Sequence, residues 1–219
     1  MNTPGTNPSP APRRTNVYID SWNLYFGCLR GTPYRWINVA ELVRLSMPAH
    51  YPINRVRFFT ARITPRPGNP GQAARQNALF RALQTLPDLT MHYGTFLAKP
   101  VWMPLVSPPP NGPRFAQVMK TEEKGSDVNI ATYLLVDAYE GEYDAAVIVS
   151  DDSDLAEPIR VVHHKLHRHV TVLSPRGRAY ELKQAATRFR QIDPGVLAQS
   201  QFPLTLRDAR GTLHKPLGW

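Results

Sequence analysis

Four aspartates in the sequence stand where a predicted strand ends or a predicted helix begins, a placement typical of metal chemistry. Asp20 follows a short β-prone run, and Asp127 opens a helical run. Asp152 and Asp154 follow the apolar residues 146–149, which predict a strand buried on both faces. Ligands of open α/β sheets bind outside the carboxyl ends of the strands, and Mg²⁺ and Mn²⁺ prefer carboxylate oxygens. The four acids therefore predict a divalent-metal site at one edge of a sheet.

Each of these acids also has a purely structural interpretation. Asp154 together with Glu157 fits a helix capping box, and Asp127 stands where a helix dipole favours a negative charge. Asp20 precedes Ser-Trp-Asn, which is a poor match for a simple cap. Caps would explain where each acid stands, but they would not explain why several acids converge, so we retain the metal hypothesis.

Strands and helices alternate along the chain, which fixes the expected class of fold. The predicted strands are residues 16–20, 55–62, 90–97, 146–149, 170–174 and 189–192. The predicted helices are residues 37–47, 72–86, 128–139, 155–164 and 180–186. Alternation at this spacing predicts βαβ crossovers, and therefore an α/β fold with a mostly parallel central sheet. Two further β-prone runs, residues 101–106 and 114–120, predict a small hairpin excursion.

The composition predicts one folded domain with a segment on either side. Residues 1–15 are rich in proline and predict a disordered lead, residues 16–192 form the domain, and residues 193–219 predict a tail docked on it or extending from it. The single cysteine, Cys28, indicates a reducing compartment. No secretory signal or membrane-spanning run is evident, so we expect a cytoplasmic protein.

Three motifs follow one another along residues 16–192: YIDSWNL at residues 18–24, EKGSDV at residues 123–128, and Tyr143-Asp144 leading to VSDDSDL at residues 149–155. Taken together and in this order, they resemble the NYN-domain family of PIN-like nucleases. The resemblance implies a Rossmann-like, three-layer α/β/α sandwich whose acids gather at the carboxyl edge of the sheet. It also implies a metal-dependent ribonuclease, a hydrolase that uses Mg²⁺ or Mn²⁺.

Carried over position by position, the resemblance assigns a set of catalytic residues. Where many family members have a small residue or asparagine, this chain has Asp151, which is either an extra metal ligand or, as we favour, a side chain turned to solvent. Of the assigned residues, the four aspartates are expected to hold metal. The catalytic assignments are Asp20, Asn23, Lys124, Asp127, Asp152 and Asp154.

The chemistry of phosphodiester hydrolysis explains these residue types. One or two divalent ions can stabilise the charge on phosphorus and lower the pKa of bound water. Asp20, Asp127 and Asp152 would hold metal directly or through water, with Asp154 completing the shell. Asn23 could orient a water or the scissile phosphate. Lys124 would offset the charge of the crowded carboxylates or contact the phosphate as a point charge.

The charge balance predicts a polyanionic partner. The formal net charge is +9, which is typical of nucleic-acid-binding proteins, and aromatic side chains near the first acid could stack on unpaired bases. We therefore expect RNA as the partner, in single-stranded or loop regions, and leave the oligomeric state open, a homodimer included. The predicted nucleic-acid-binding residues are Trp22, Arg62, Arg66, Lys124, Arg176 and Arg178.

Two other functions fit parts of the pattern. An RNA-binding or regulatory module with a PIN-like fold and little catalysis would keep the basic surface, although the retained acids argue against it. A phosphatase or phospho-acceptor domain would need either a nucleophilic aspartate with a second acid two residues later, or an aspartate with a distant lysine and threonine. Asp20-Ser21-Trp22 lacks the first of these arrangements.

Overall fold

A sheet of six parallel strands forms the centre of the protein in a computed structural model, which describes residues 11–63 and 70–219. The predicted mostly parallel α/β sheet is therefore confirmed. The strands of the described chain are β1 (Thr15–Asp20), β2 (Ile53–Thr60), β3 (Leu89–Tyr93), β4 (Thr95–Pro104), β5 (Phe115–Lys124), β6 (Ala145–Val149), β7 (His169–Ser174), β8 (Arg188–Gln191), β9 (Thr205–Asp208) and β10 (Gly211–His214). The order across the sheet is β3-β2-β1-β6-β7-β8.

Helices cover both faces of this sheet, and two of them continue into a short π-helical turn. The helices are α1 (Ser21–Leu24, continued by Tyr25–Leu29), α2 (Val39–Ser46), α3 (Gln72–Leu83), α4 (Ser126–Tyr139), α5 (Ala156–Arg160, continued by Val161–Lys165), α6 (Tyr180–Ala185) and α7 (Pro194–Gln199). A single 3₁₀ turn, Ser153–Leu155, leads into α5. The predicted helices are all present, with ends that differ by a few residues.

Alternation along the buried strands divides the core into two layers. In β1, Val17 and Ile19 pack into a cluster with residues of α2, α3 and α7. Tyr18, which points to the other face, packs into a cluster with residues of α4, α5 and α6. Since successive side chains of a strand point to opposite faces, one short strand anchors both layers of the α/β/α sandwich.

The pairing of β1 and β6 places the ends of two strands side by side. Ile19 pairs with Val149, so Asp20 and Ser150, the next residues of each strand, become neighbours at the carboxyl edge. Both strands are buried along their whole length, which fixes their register because a slip by one residue would move every side chain into the opposite core layer. The first acid and the Ser150–Asp154 turn therefore meet because of the sheet pairing.

The predicted strand 90–97 is wrong in one respect, because the chain leaves the sheet in its middle. β3 ends at Tyr93, and β4 begins at Thr95 as one strand of an antiparallel ribbon with β5. A Cβ atom at Gly94 would lie 2.6 Å from the carbonyl oxygen of Lys124, so the bend needs a glycine. The predicted hairpin is present and is longer than expected; we call it the β4–β5 ribbon.

The segment that follows β8 packs on the core of the sheet domain. The first ten residues of the predicted lead lie outside the described residues, and β1 begins at Thr15. After β8, the helix α7 and the hairpin β9–β10 place Leu197, Phe202 and Leu213 in the same hydrophobic cluster as Trp36. Within the described ranges, no helix is long and apolar enough to cross a membrane.

Candidate metal and nucleic-acid site

Asp20 is the innermost acid at the carboxyl edge, and its carboxylate is held by three neighbouring residues. Oδ1 accepts the backbone N–H groups of Trp22 and Asn23 at 3.1 and 3.0 Å, which makes Asp20 the N-cap of α1. The expectation that Asp20 is a poor cap is therefore wrong, because the strand passes directly into a helix. Oδ2 accepts Asn23 Nδ2 at 2.6 Å and Ser150 Oγ at 3.1 Å. Only 3% of the residue is exposed.

Asp152 is positioned by the turn that follows β6. Its backbone N–H donates to Ser150 Oγ at 3.0 Å, and its Oδ1 accepts the backbone N–H of Asp154 at 3.0 Å. Asp152 therefore caps the 3₁₀ turn, a role that the capping-box interpretation had given to Asp154. The hydroxyl of Ser150 connects the two strand ends, because it donates to Asp20 while accepting from Asp152.

Asp127 enters the site from the first turn of α4. The helix starts after Gly125, whose φ of 98° is the left-handed backbone that favours glycine. This turn lets the ribbon strand β5 pass directly into α4. Nearby, Ser126 Oγ donates to Glu123 Oε1 at 2.9 Å, so a further carboxylate stands close to the helix start.

Three of the four predicted metal ligands converge. One carboxylate oxygen from each of Asp20, Asp127 and Asp152 can be chosen so that all three lie within 4.8 Å of one another. No other group of potential ligands this close occurs in residues 11–63 and 70–219. Asp154 is exposed and does not belong to this group, so its predicted place in the shell stays a prediction.

The crowding of negative charge shifts the protonation of the site. Burial, and then the carboxylates of Asp152 and Asp20, raise the pKa of Asp127 to about 6. Burial also raises the pKa of Asp20, against the opposing effect of its hydrogen bonds from Asn23 and Ser150. A divalent cation would reverse this repulsion, so the donor set fits a metal ion of the Mg²⁺ or Mn²⁺ type.

Asn23 and Lys124 make contacts that refine their predicted roles. Both polar atoms of the Asn23 amide are engaged, because Nδ2 donates to Asp20 and Oδ1 accepts the backbone N–H of Asp151 at 3.4 Å. Asn23 therefore orients the first carboxylate. The ammonium of Lys124 lies 3.2 Å from Glu122 on the ribbon, and its predicted contact with phosphate stays a prediction.

Asp151 is neither turned to solvent, as favoured from the sequence, nor part of the acidic group. Its carboxylate accepts hydrogen bonds from Ser174 Oγ and, at 2.8 Å, from the backbone N–H of Arg176. Ser174 ends β7, the neighbour of β6 in the sheet. Asp151 thus ties the acidic turn to the loop that carries two of the predicted RNA-binding arginines.

The predicted nucleic-acid-binding residues fall in different surroundings. Trp22 is partly buried, with its ring 5.8 Å from Phe26 in a stacked arrangement. Arg176 and Arg178 are exposed in the loop after β7. Arg62 is exposed and lies over the ring of Tyr93, and Arg66 is outside the described residues.

The sequence analysis gave no role to two residues of this site. Ser150 belongs to the third motif, and its position directly after the buried strand could have indicated a role at the strand end. Glu123 belongs to the second motif, but its proximity to Asp127 depends on the turn at Gly125 by which β5 passes into α4. No pattern in the sequence predicts that turn.

Comparison with known proteins agrees with this geometry. The family model of the NYN domain matches residues 14–193. The chain belongs to the NYN-domain family. The resemblance carried by the three motifs is confirmed, and with it a nuclease-like fold that has an acidic cluster at the carboxyl edge of its sheet.

Two similar proteins come from Pseudomonas putida and Vibrio parahaemolyticus. The chain is 30% identical to 6-hydroxy-3-succinoylpyridine 3-monooxygenase HspA of Pseudomonas putida, over 95% of this chain and 76% of that protein. A crystal structure of a protein of unknown function from Vibrio parahaemolyticus superposes with a TM-score of 0.56 at 15% identity, covering 86% of this chain and 98% of the other. The second likeness concerns the fold alone.

Proposed function

We propose that this NYN-domain protein is a metal-dependent ribonuclease that hydrolyses RNA phosphodiester bonds. The observation that carries the proposal is the convergence of Asp20, Asp127 and Asp152 within 4.8 Å at the carboxyl edge of the sheet. Three carboxylates so close to one another, in a chain of net charge +9, form a local site for a cation. Family membership supports the nuclease class, and RNA is the partner expected for it.

The chain would supply a prepared set of oxygen ligands. A bound Mg²⁺ or Mn²⁺ supplies Lewis acidity at the phosphoryl oxygen and lowers the pKa of a bound water. Asn23 and Ser150 hold the Asp20 carboxylate by hydrogen bonds, so its oxygens need little rearrangement to bind a cation. Asp154, exposed beside Asp152, would bind an outer water of the ion.

The surroundings of the acids support a single-stranded substrate. Arg176 and Arg178 lie in the loop that Asp151 ties to the acidic turn, where they would contact phosphates without reading the sequence. Trp22 lies in the first turn of α1, two residues after the first acid, and an aromatic ring at this point suits an unstacked base. The aromatic ring favours unpaired RNA over a rigid duplex, and the arginines add affinity for the backbone.

A cleavage assay with a paired variant tests the proposal. The protein is incubated with labelled single-stranded RNA and with single-stranded DNA, in the presence of Mg²⁺, Mn²⁺ or EDTA. We expect RNA cleavage with a divalent ion, none in EDTA, and none by Asp152→Asn. The exposed acid Glu140 provides the control Glu140→Gln, which should cleave at the wild-type rate.

Two results would contradict the proposal in different ways. RNA binding without cleavage under every metal condition would favour the RNA-binding or regulatory module. Cleavage that continues undiminished in EDTA and in Asp152→Asn would show that another site performs the reaction.

The relative from Pseudomonas putida supports a second candidate function, hydroxylation of a substituted pyridine. The supporting observation is 30% identity over 95% of this chain with a protein named as a monooxygenase. Such a reaction consumes O₂ and two electrons from a reductant, for which reduced nicotinamide is a usual donor. Consumption of 6-hydroxy-3-succinoylpyridine with NADH and O₂, in parallel with the RNA assay, separates the two candidates.

A further inference from the structure

The β4–β5 ribbon leaves the central sheet at its carboxyl edge and is joined to the acidic site at both ends. β4 begins two residues after Tyr93, the last residue of β3. β5 ends at Lys124, three residues before Asp127 in the first turn of α4. Within the described chain, β4 and β5 pair only with each other. The ribbon is therefore an arm that starts at the acids and has two faces of its own.

The exposed apolar surface of the protein is concentrated on this ribbon and the loop at its tip. Eight of the sixteen large apolar side chains that are exposed in the described chain lie within residues 97–119. Trp102, Met119 and Phe115 are 68%, 66% and 54% exposed. A two-stranded ribbon is marginally stable in water, and a contiguous apolar patch is typical of an interaction surface.

The register of the ribbon places its aromatic side chains on one face. Directly opposite residues of an antiparallel pair lie on the same face, and so do residues two apart in a strand. Phe96, Pro100 and Trp102 are therefore on one face of β4, and Met119, which pairs with Pro100, is on the same face. By the same alternation, Phe115 belongs to it as well. We call this the aromatic face of the ribbon.

The aromatic face begins beside the acidic cluster. The ring of Phe96 contacts the ring of Trp22 edge-on, with 5.1 Å between the two centroids. Trp22 in turn donates its backbone N–H to Asp20. From Phe96 to Trp102 is six residues of strand, or about 20 Å. The face therefore forms one path that leads from the acids to the exposed rings at the outer part of the ribbon.

The charges on the ribbon suit a polyanion. Residues 95–121 contain three cations, Lys99, Arg114 and Lys120, and no acid. The acids of β5 come only at its end, where Glu122 lies 3.2 Å from the ammonium of Lys124. Exposed rings that can stack on bases, together with cations that attract phosphates, are the combination that binds single-stranded nucleic acid.

Two features argue against a second copy of the chain as the partner. Pro100 and Pro104 of β4 lack the N–H groups that edge-to-edge pairing with another strand needs. On the other face of the ribbon, Lys99 and Lys120 lie directly opposite each other, so two such faces would bring four lysines together. Packing of two aromatic faces is the remaining arrangement, and the oligomeric state tests it.

We propose that the aromatic face of the ribbon is a stacking platform for the bases of a single-stranded RNA that leads to the acids. The inference rests on the proposed function, which makes this strand the substrate. Trp102, Met119 and Phe115 contact unpaired bases, and the cations of the ribbon attract the phosphates. The platform selects no sequence, because every base has a face that stacks on an aromatic ring.

Binding in EDTA tests the platform without metal-dependent cleavage. Fluorescence anisotropy measures the affinity for a labelled oligouridylate of about 12 nucleotides, a length within the range of known single-strand sites. Trp102→Ala should weaken binding at least about fivefold, the effect of losing one stacked base. Trp102→Phe keeps a ring and should stay within about twofold of wild type. Tyr139→Ala removes an exposed ring at the far end of α4 and should leave the affinity unchanged.

A pair of methionines tests which face of the ribbon is used. Met119 is on the aromatic face, whereas Met103 follows Trp102 in β4 and is on the other face. Met119→Ala should weaken binding about two- to tenfold, and Met103→Ala should leave it unchanged. Both side chains are exposed, so neither change opens a cavity in the core. Circular dichroism verifies that each variant is folded.

Duplex RNA distinguishes stacking from the attraction of charge. The bases of a duplex are not free to stack on the ribbon, so Trp102→Ala should bind duplex RNA as wild type does. An unchanged affinity of Trp102→Ala for the single strand, or an equal loss in Met103→Ala and Met119→Ala, overturns the inference. It is also overturned, in favour of a second copy, if light scattering shows a wild-type dimer that Trp102→Ala converts to a monomer with unchanged RNA affinity.

Cleavage by the wild-type protein is measured separately, so the two proposals fail in different ways. Binding of single-stranded RNA that depends on Trp102, in a protein that cleaves no RNA with Mg²⁺ or Mn²⁺, supports the platform and contradicts the nuclease. Metal-dependent cleavage together with binding that does not depend on Trp102 contradicts the platform alone.

Discussion

The backbone N–H of Arg176 donates a hydrogen bond to Asp151 Oδ2 at 2.8 Å, which joins the loop after β7 to the turn after β6. The other carboxylate oxygen of Asp151 accepts Ser174 Oγ, which in turn accepts the backbone N–H of Gly177 at 2.7 Å. These bonds pin the start of the arginine-bearing loop beside the acidic cluster. Asp151 therefore positions the loop after β7, and both oxygens of its carboxylate accept hydrogen bonds from the protein.

Replacing Asp151 tests this positioning role. Asp151→Ala leaves the Ser174 hydroxyl and the Arg176 N–H without their acceptor, and should lower the free energy of unfolding by about 1–3 kcal/mol. Mn²⁺ affinity, measured by electron paramagnetic resonance, should change by less than about threefold, because the Asp151 carboxylate is bonded to Ser174 and Arg176 and supports none of the three converging acids by a hydrogen bond. A loss of Mn²⁺ binding as large as that of Asp152→Asn would make Asp151 a metal ligand.

Asp127 should make the metal-free protein sensitive to pH. Its pKa is about 6 when folded, against 3.8 in the unfolded chain, so the folded protein binds this proton more readily. The resulting destabilisation is complete above about pH 6 and is lost as the pH falls towards 3.8. In EDTA, Asp127→Asn should therefore melt at a higher temperature than wild type at pH 7.5, with a difference that disappears near pH 4.

Differential scanning fluorimetry over a pH series measures this difference. Glu140→Gln, a matched removal of one charge at the exposed far end of α4, should show no such pH-dependent gain. If the melting temperatures of Asp127→Asn and wild type differ by the same amount at all pH values, the raised pKa of Asp127 is contradicted. With Mn²⁺ present at pH 7.5, wild type should instead melt at a higher temperature than Asp127→Asn, because only wild type keeps all three metal ligands.

The sequence predicts the layout of the fold and the central acids because both depend on local patterns. Buried strands produce apolar runs, and the residues that follow each run lie at a sheet edge, so the sequence alone indicates Asp20 and Asp152 as residues of that edge. The α/β alternation predicts parallel strands, whose carboxyl ends lie at the same edge of the sheet. Asp127 required the family resemblance as well, since its own position is equally that of an ordinary helix start.

What the sequence could not predict depends on contacts between distant segments. The bond between Asp151 and Ser174 spans 23 residues and requires the exact pairing of β6 with β7. The ion pair between Lys124 and Glu122 forms because β5 extends to Lys124, four residues beyond the predicted strand 114–120. Short β-prone runs do not specify where a paired strand ends.

A buried ion pair illustrates the same limit and supports a further prediction. Arg57 on β2 donates to both carboxylate oxygens of Asp137 on α4, at 2.8 and 2.7 Å, and Tyr18 donates its hydroxyl at 2.7 Å. Asp137→Ala would leave Arg57 buried without its counter-ion, so it should lower the free energy of unfolding by about 3–5 kcal/mol.

Urea unfolding provides the measurement, with a surface pair as reference. Arg55, also on β2, lies 3.4 Å from Glu142, and both side chains are well exposed. Glu142→Ala should cost at most about 1 kcal/mol. A loss below about 1 kcal/mol for Asp137→Ala would show that the buried pair contributes little to holding α4, and with it Asp127, against the sheet.

The loop after β7 should contribute to RNA affinity through charge. If Arg176 and Arg178 neutralise phosphates, removing both should weaken binding and reduce the dependence of log K on log salt by roughly 1.4, since each contact with single strands contributes about 0.7. The measurement is fluorescence anisotropy of single-stranded RNA with Asp152→Asn protein, which should bind without cleaving. Arg188→Gln, a charge removal at the start of β8 and therefore at the opposite edge of the sheet, should leave the slope unchanged. An unchanged slope for the double variant would place the phosphate contacts elsewhere on the basic surface.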